Sequence, residues 1–285
     1  MDLVRSRLTG FLIATVLLLA CGGRGGYEPL ESWQVSEGVS RLVSTYDGFE
    51  RKTLVWIPKN YDPTKRYPLV FGFHGAMCDP DDWLDWLDDL ADKHDFIGIY
   101  PAGIKHNWEV VVDGRQVDDC GYVESMISWA DKVLSVDSFR RYAIGYSAGG
   151  FLVNHLGLRI RGLAGIAAIS GTFHQNPKFS AVSPPRRIFL IHGVNDPTIP
   201  YEGGMSDLGY SYEPAESSAL KWSRALGCNQ DAEVISVSDR VTEIRYAPCR
   251  GAGEVRLLKV LAGHSPQEYV DDVYLKIWDF WESGL

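Results

Sequence analysis

The chain has 285 residues, 45% of them hydrophobic and 23% charged, and a formal net charge of −9. That length suits one large domain with a sizeable core. The acidic balance, with no basic cluster, speaks against nucleic acid as a partner.

At the N-terminus, Arg5 and Arg7 precede an apolar run from Phe11 to Ala20. The run is short for a membrane span and is laid out like an export signal. Residues 1–21 therefore read as a signal peptide with a lipobox-like end, Leu18-Leu19-Ala20-Cys21, in which Cys21 would be lipidated. Residues 22–35, opening on Gly22-Gly23-Arg24-Gly25-Gly26, read as a flexible tether. Residues 36–285 are left as the folded domain. The expected location is outside the cytoplasm: an envelope lipoprotein of the periplasm or outer-membrane surface, or a secreted protein. A lipid at the N-terminus would be its only membrane contact.

Arg41 to Ser44 and Thr53 to Ile57 are strand-like runs around an Asp47-Gly48 turn. Tyr67 to Phe73 is continuously apolar, the mark of a strand buried on both faces. Helical spacing follows from Pro80 to Asp92, then a strand from Phe96 to Tyr100 and a helix from Tyr122 to Leu134. Strands at Tyr142 to Ile144, Gly165 to Ile169 and Arg187 to Ile191 come next. A helix from Ala215 to Leu226, a last strand from Val255 to Leu261 and a closing helix from Tyr269 to Trp281 complete the order. Strands alternating with helices predict an α/β fold, a mainly parallel central sheet flanked by helices. Ligand sites in such sheets lie at the carboxyl ends of the strands.

Three motifs fall at those ends. Gly145-Tyr146-Ser147-Ala148-Gly149-Gly150 comes first, then His192-Gly193-Val194-Asn195-Asp196, then Gly263-His264. A serine on a glycine-flanked strand-to-helix turn, then an acid, then a histidine is the chain order of an α/β-hydrolase triad. A serine hydroxyl attacks poorly unless a neighbouring base takes its proton. His264 is the candidate base and Asp196 the group that would orient it and stabilise its charged form. Glu202 and Asp207 are the nearby alternatives to Asp196. Backbone N–H groups of Ala148 and Ala76 are the candidate oxyanion donors, with Met77 as second choice to Ala76. His74, His155 and His192 read as structural. Trp108 and Tyr146 are candidate substrate contacts, whereas Trp83 and Trp86, at helical spacing, read as packing. Asp118-Asp119 reads as a helix cap rather than the paired acids of a glycosidase. The short stretch between Ile169 and Arg187 leaves no room for a large lid domain, and Pro197 to Glu213, with Tyr210 and Tyr212, is a candidate wall of the cleft.

Beyond Cys21 there are four cysteines, an even number that suggests two disulfides in an oxidising compartment. Three pairings are open. A local loop before the last strand favours Cys228–Cys249, which leaves Cys78–Cys120. No cysteine or histidine spacing suits zinc, so no metal site is expected.

From about Leu54 to Trp281 the chain resembles the secreted polyhydroxybutyrate-depolymerase-like esterases, a family that includes feruloyl and acetylxylan esterases. The resemblance rests on Tyr67-Pro68-Leu69-Val70 through His74-Gly75, Phe96-Ile97-Gly98-Ile99-Tyr100-Pro101 and Val117-Asp118-Asp119-Cys120-Gly121-Tyr122-Val123. It also rests on Ser170-Gly171 and the three motifs above. It implies the α/β-hydrolase fold for residues 36–285 as a catalytic domain, with Ser147, Asp196 and His264 as its triad and a Cys228–Cys249 disulfide. It further implies a serine carboxylesterase that forms an acyl-enzyme, needs no cofactor, and takes ester substrates of polymeric or plant-cell-wall origin. Ala262-Gly263-His264-Ser265-Pro266-Gln267 lacks the tryptophan that often follows the histidine in relatives with such substrates. A serine peptidase on the same fold and a non-catalytic glycan-binding surface lipoprotein are the rival readings.

Overall fold

A computed structural model describes residues 27–108, 117–174, 185, 187–205 and 209–283. The signal-like segment, Cys21 and the first part of the expected tether lie outside these residues.

The centre is an eleven-stranded sheet. Its strands in chain order are β1 (Glu28–Pro29), β2 (Gly38–Tyr46), β3 (Phe49–Ile57), β4 (Tyr67–Phe73), β5 (Ile97–Pro101), β6 (Val136–Tyr146), β7 (Gly165–Ile169) and β8 (Arg187–Gly193). A separate two-stranded ribbon, β9 (Gly204–Met205) and β10 (Ser211–Tyr212), follows. The sheet then resumes with β11 (Glu233–Ser236), β12 (Val241–Tyr246) and β13 (Glu254–Val260). Across the sheet the order is β1-β2-β3-β5-β4-β6-β7-β8-β13-β12-β11. The six central strands from β5 to β13 run parallel. The hairpins β2–β3 and β11–β12 flank them, each joined antiparallel to the centre. The β4, β5, β7 and β8 side chains are buried throughout, because both faces of the sheet are covered.

Five helices do the covering: α1 (Asp81–His94), α2 (Asp119–Val133), α3 (Ala148–Arg159), α4 (Ala215–Leu226) and α5 (Val273–Glu282). On one face α1 buries Trp83, Leu87 and Ala91, a one-turn repeat, together with Ile277, Trp278 and Trp281 of α5. On the other face α2, α3 and α4 bury Tyr122, Met126, Leu152, Leu156 and Trp222 among others. The sheet therefore separates two apolar cores, one for each face.

Boundaries differ from the sequence pattern where local polar groups act. The pattern starts α2 at Tyr122, but α2 begins at Asp119 because the Asp118 carboxylate caps it, accepting the Gly121 N–H at 3.0 Å. The pattern starts the last helix at Tyr269. Instead a short 3-10 turn covers residues 266–269, and α5 starts after Asp272, which is left-handed at φ 49°. The expected tether is shorter than 22–35. Glu28–Pro29 pairs with β2, and Trp33 is buried against the Trp129 ring with its indole N–H on Ser40. The β11–β12 hairpin has no counterpart among the expected strands. Val241, Ile244 and Tyr246 bury one side of it, and the Cys228–Cys249 disulfide joins the end of α4 to the chain after β12.

The expected Cys78–Cys120 disulfide does not form; both thiols are free. Cys78 lies half-exposed in the loop between β4 and α1, whereas Cys120 is buried in the first turn of α2, within the core that α2, α3 and α4 cover. Burial pushes the Cys120 thiol up to about 12, the range of an inert core cysteine.

Candidate active site

Ser147 stands between the last residue of β6 and the first of α3. Its φ of 54° and ψ of −117° are strained for a residue with a side chain. The surroundings impose this conformation. The Ser147 N–H donates to the Ile169 carbonyl at 2.8 Å, and its own carbonyl receives the Phe151 N–H at 3.1 Å. Glycine is required on both sides. A Cβ on Gly145 would stand 2.2 Å from the Gly149 oxygen, and one on Gly149 would stand 1.9 Å from the Phe73 oxygen. Behind the turn, the buried Asn154 amide donates to the Gly150 and Gly171 carbonyls and accepts the Trp222 indole N–H. Nothing in the sequence pattern marks that residue, since its partners lie on three separate segments.

Asp196 follows β8 and His264 follows β13, and those strands are parallel neighbours. Their loops are tied backbone to backbone, the Asn195 N–H donating to the Ala262 carbonyl at 3.0 Å. The structure thus brings Ser147, His264 and Asp196 together. His264 Nε2 is 2.9 Å from Ser147 Oγ, and His264 Nδ1 is 2.7 Å from Asp196 Oδ2. A carboxylate only accepts, so Nδ1 carries the proton and Nε2 is free to accept the serine hydroxyl. The other Asp196 oxygen accepts the Thr198 and Ile199 N–H groups at 2.8 and 2.9 Å. Burial alone would raise the Asp196 pKa; the hydrogen bond from His264 and the two amides outweigh it and hold the carboxyl below its ordinary value.

Ser170 stands out in the sequence only as part of a resembling stretch. It is buried at φ 49°, and its hydroxyl donates to the His264 carbonyl at 2.8 Å. On the other side, Tyr146 and Ser265 share a hydrogen bond of 3.2 Å, and the Tyr146 ring lies 5.4 Å from the imidazole. Tyr146, half-buried beside Ser147 and His264, remains a candidate contact surface.

The β4–α1 loop presses on the serine. A Cβ on Gly75 would lie 3.4 Å from the Ser147 Cβ. Among the described residues no carbonyl accepts the Ala76 N–H, whereas the Met77 N–H is taken by the His106 carbonyl at 2.9 Å. Ala148 supplies the first amide of α3, which has no carbonyl to meet within the helix. With the Ala76 N–H unclaimed in the loop and the Ala148 N–H at the start of α3, these two amides remain the candidate donors for the oxyanion of an acyl-transfer intermediate. His74 fixes the loop: Nδ1 donates to the Gly75 carbonyl at 2.7 Å and Nε2 accepts the Gly103 N–H at 2.9 Å.

Other candidate residues lie elsewhere. Trp108 is not an open contact: it is 4% exposed, packs on Phe73 and His74, and donates its indole N–H to the His74 carbonyl at 2.8 Å. It is therefore a buttress of the β4–α1 loop. Trp83 is fully buried, while Trp86 is half-buried against Tyr146 and Tyr274. Tyr212 is buried and stacks on Phe151 and His174, so of the expected wall pair only Tyr210 is exposed. Glu202 is exposed, and Asp207 lies outside the described residues. His155 is half-buried on α3, and the loss of solvent around its ring lowers its pKa to about 4. Asp118 caps α2 while Asp119 is buried on Arg51 at 2.6 Å, so these adjacent acids serve different partners. Among the described residues no group of three or more His, Cys, Asp or Glu side chains could hold a metal ion.

Comparison with known proteins agrees with this architecture. Residues 122–211 match the Phospholipase/Carboxylesterase family model. A bifunctional acetylxylan esterase/xylanase of Neocallimastix patriciarum is 26% identical over 249 residues, 82% of this chain and 33% of that protein. Feruloyl esterase C of Emericella nidulans is 26% identical over 207 residues, 68% of this chain and 74% of that protein. The chain thus spans a third of the first relative's length and about three quarters of the second's. Among solved structures, acetyl xylan esterase from Aspergillus awamori superposes with a TM-score of 0.62 at 13% identity, covering 85% of this chain and 99% of that one. The poly(3-hydroxybutyrate) depolymerase from Bordetella parapertussis superposes with a TM-score of 0.55 at 16% identity, covering 87% and 91%. At those identities the structural likeness speaks for the fold alone.

Proposed function

We propose that this chain, which has the α/β-hydrolase fold and is related in sequence to feruloyl and acetylxylan esterases, is a serine carboxylesterase. The observation that carries the reading is the relay of Asp196, His264 and Ser147, linked at 2.7 and 2.9 Å, with the serine on a strained turn.

In this reading the Ser147 hydroxyl, its proton passing to His264 Nε2, attacks the ester carbonyl. Negative charge develops on the carbonyl oxygen and is met by the Ala76 and Ala148 N–H groups, preorganised before substrate arrives. The imidazolium is stabilised by Asp196, already ionised and held by two amides. His264 then protonates the departing alkoxide, leaving an acyl-enzyme on Ser147. Water attacks the acyl carbon and gives its proton to His264, which returns it to Ser147 as the acid leaves. The first proton moves between Ser147 and His264, groups already in hydrogen-bond contact, and no cofactor is required by these steps.

The short connection between β7 and β8 and the half-buried Tyr146 ring favour an open cleft that admits a bulky or polymeric ester. Plant-cell-wall esters are the class suggested by the acetylxylan and feruloyl esterases among the sequence relatives. Export, with Cys21 as a lipid anchor, is inferred from residues 1–21, and the Cys228–Cys249 disulfide suits an oxidising compartment.

The test is hydrolysis of a short-chain nitrophenyl ester and of methyl ferulate by the protein and by Ser147→Ala. Turnover of either ester is expected, with a loss of about 10⁴-fold or more in the variant. Turnover that survives the substitution, or a Ser147 that no fluorophosphonate labels, overturns the reading.

A further inference from the structure

His192 is the penultimate residue of β8 and is 2% exposed. Its side chain has no part in the proton path above, yet it touches the acid. Its Nε2 lies 2.9 Å from the Ile199 carbonyl and 3.5 Å from Asp196 Oδ2, the same oxygen that receives His264 Nδ1. A carbonyl can only accept, so Nε2 bears the proton. Ile199 in turn aims its N–H at Asp196 Oδ1. One imidazole thus holds the carbonyl side of the residue whose amide side holds the carboxylate.

We propose that His192 is a positioning residue of the site, a neutral imidazole whose Nε2–H fixes the 196–199 turn and keeps the Asp196 carboxylate facing His264. The inference rests on the triad reading given above. Its surroundings pull both ways: burial, the larger influence, and His264 favour the neutral ring, while the Ile199 carbonyl and the Asp196 carboxylate favour the charged one. Asp196 and His264 face it from the two loops, and the Tyr201 ring lies edge-on at 5.9 Å. Lys259 is its register partner on β13, with its ammonium on the Tyr201 ring at 4.8 Å and on Glu216 of α4 at 3.2 Å. Burial holds the His192 pKa below its ordinary value, so it stays uncharged where a hydrolase works.

Two substitutions separate positioning from bulk structure. Glutamine carries an amide N–H near the place of Nε2, whereas phenylalanine fills the space without a donor. Nitrophenyl-ester kinetics across pH, thermal melts and the low-field proton resonance of the His264–Asp196 hydrogen bond would be measured on the full chain. His192→Phe is expected to lower kcat by about ten- to a hundredfold with KM little changed. The acid-side limb of kcat/KM, set by His264 as the general base, should move to lower pH, because a misplaced carboxylate stabilises the imidazolium less. The resonance should shift, and His192→Gln should restore most of kcat and the limb. Should the phenylalanine variant fail to fold, the glutamine variant decides by the same limb and resonance: wild-type values support the role, and a displaced limb with a lost resonance overturns it. A folded His192→Phe with wild-type kcat and pH profile overturns the inference. So does an equal loss in both variants that tracks their fall in Tm. Ser147→Ala is run beside them. Activity surviving in that variant sinks the esterase reading itself, whereas its loss with an indifferent His192 sinks only the positioning role.

Discussion

The Asp196 carboxylate accepts the His264 imidazole on one oxygen and two backbone amides on the other, with its side chain fully buried. Asp196→Asn keeps the shape but replaces a pure acceptor by an amide that can donate to His264 and select the wrong tautomer. The expected result is a folded protein with kcat about 10⁴-fold lower and KM nearly unchanged, read from nitrophenyl-ester kinetics. The same residue gives a pH prediction. Its folded pKa is depressed, so its contribution to stability is present above the ordinary aspartate value and is lost as pH falls through the folded value. Melting temperatures taken down a series of acidic buffers should fall for the wild type, and that share of the fall should be missing in Asp196→Asn. The serine, acid and histidine were legible as residues because each sits on a glycine-rich loop after an apolar strand. The anchors around them were not. Ser170, Asn154 and Trp108 act on the carbonyls of His264, Gly171 and His74, distant in sequence, which no local pattern displays.

At the scale of the element, the β6–α3 junction is built on backbone contact rather than side-chain packing. Gly149 lies against the Phe73 carbonyl of β4, closer than any Cβ permits. Gly149→Ala must therefore push α3 away from the sheet. A loss of about 2 kcal/mol or more is expected from denaturant unfolding, because the obstacle is backbone that cannot repack. Activity should fall further than stability, since Ser147 and the Ala148 amide move with α3. The buried strands were readable as continuous apolar runs. Helix starts were less so, because Asp118 and Asp272 set them through a side-chain cap and a left-handed turn. The β11–β12 hairpin was missed because β11 is a mostly exposed edge strand, with little apolar signal of its own.

For the whole molecule, the sheet is a partition between two cores, and burial in one of them decides the cysteine chemistry. Cys120 is buried with α2 in that core while Cys78 is half-exposed in the loop leading to α1. Alkylation of the native protein followed by peptide mapping should modify Cys78 and leave Cys120 protected until the chain is denatured. Modification of neither, with a Cys78–Cys120 crosslinked peptide recovered, would show the pairing that the even cysteine count suggests. The same partition ties the outer strand β3 to α2 through the buried Arg51–Asp119 pair, with Arg51 also over the Tyr122 ring at 4.1 Å.

The sequence by itself determined the fold class, the parallel centre of the sheet and the three residues that head the site. Apolar runs and glycine turns are local signals, and parallel α/β topology leaves their ends on one rim. Only the tertiary structure decided that the Met77 amide is already taken by the His106 carbonyl, that Trp108 is a buttress, and that residues from Glu28 join the fold. It also decided that Cys78 and Cys120 stay apart. Each of these depends on which surfaces meet across the sheet, and that is fixed by packing between segments far apart in the chain.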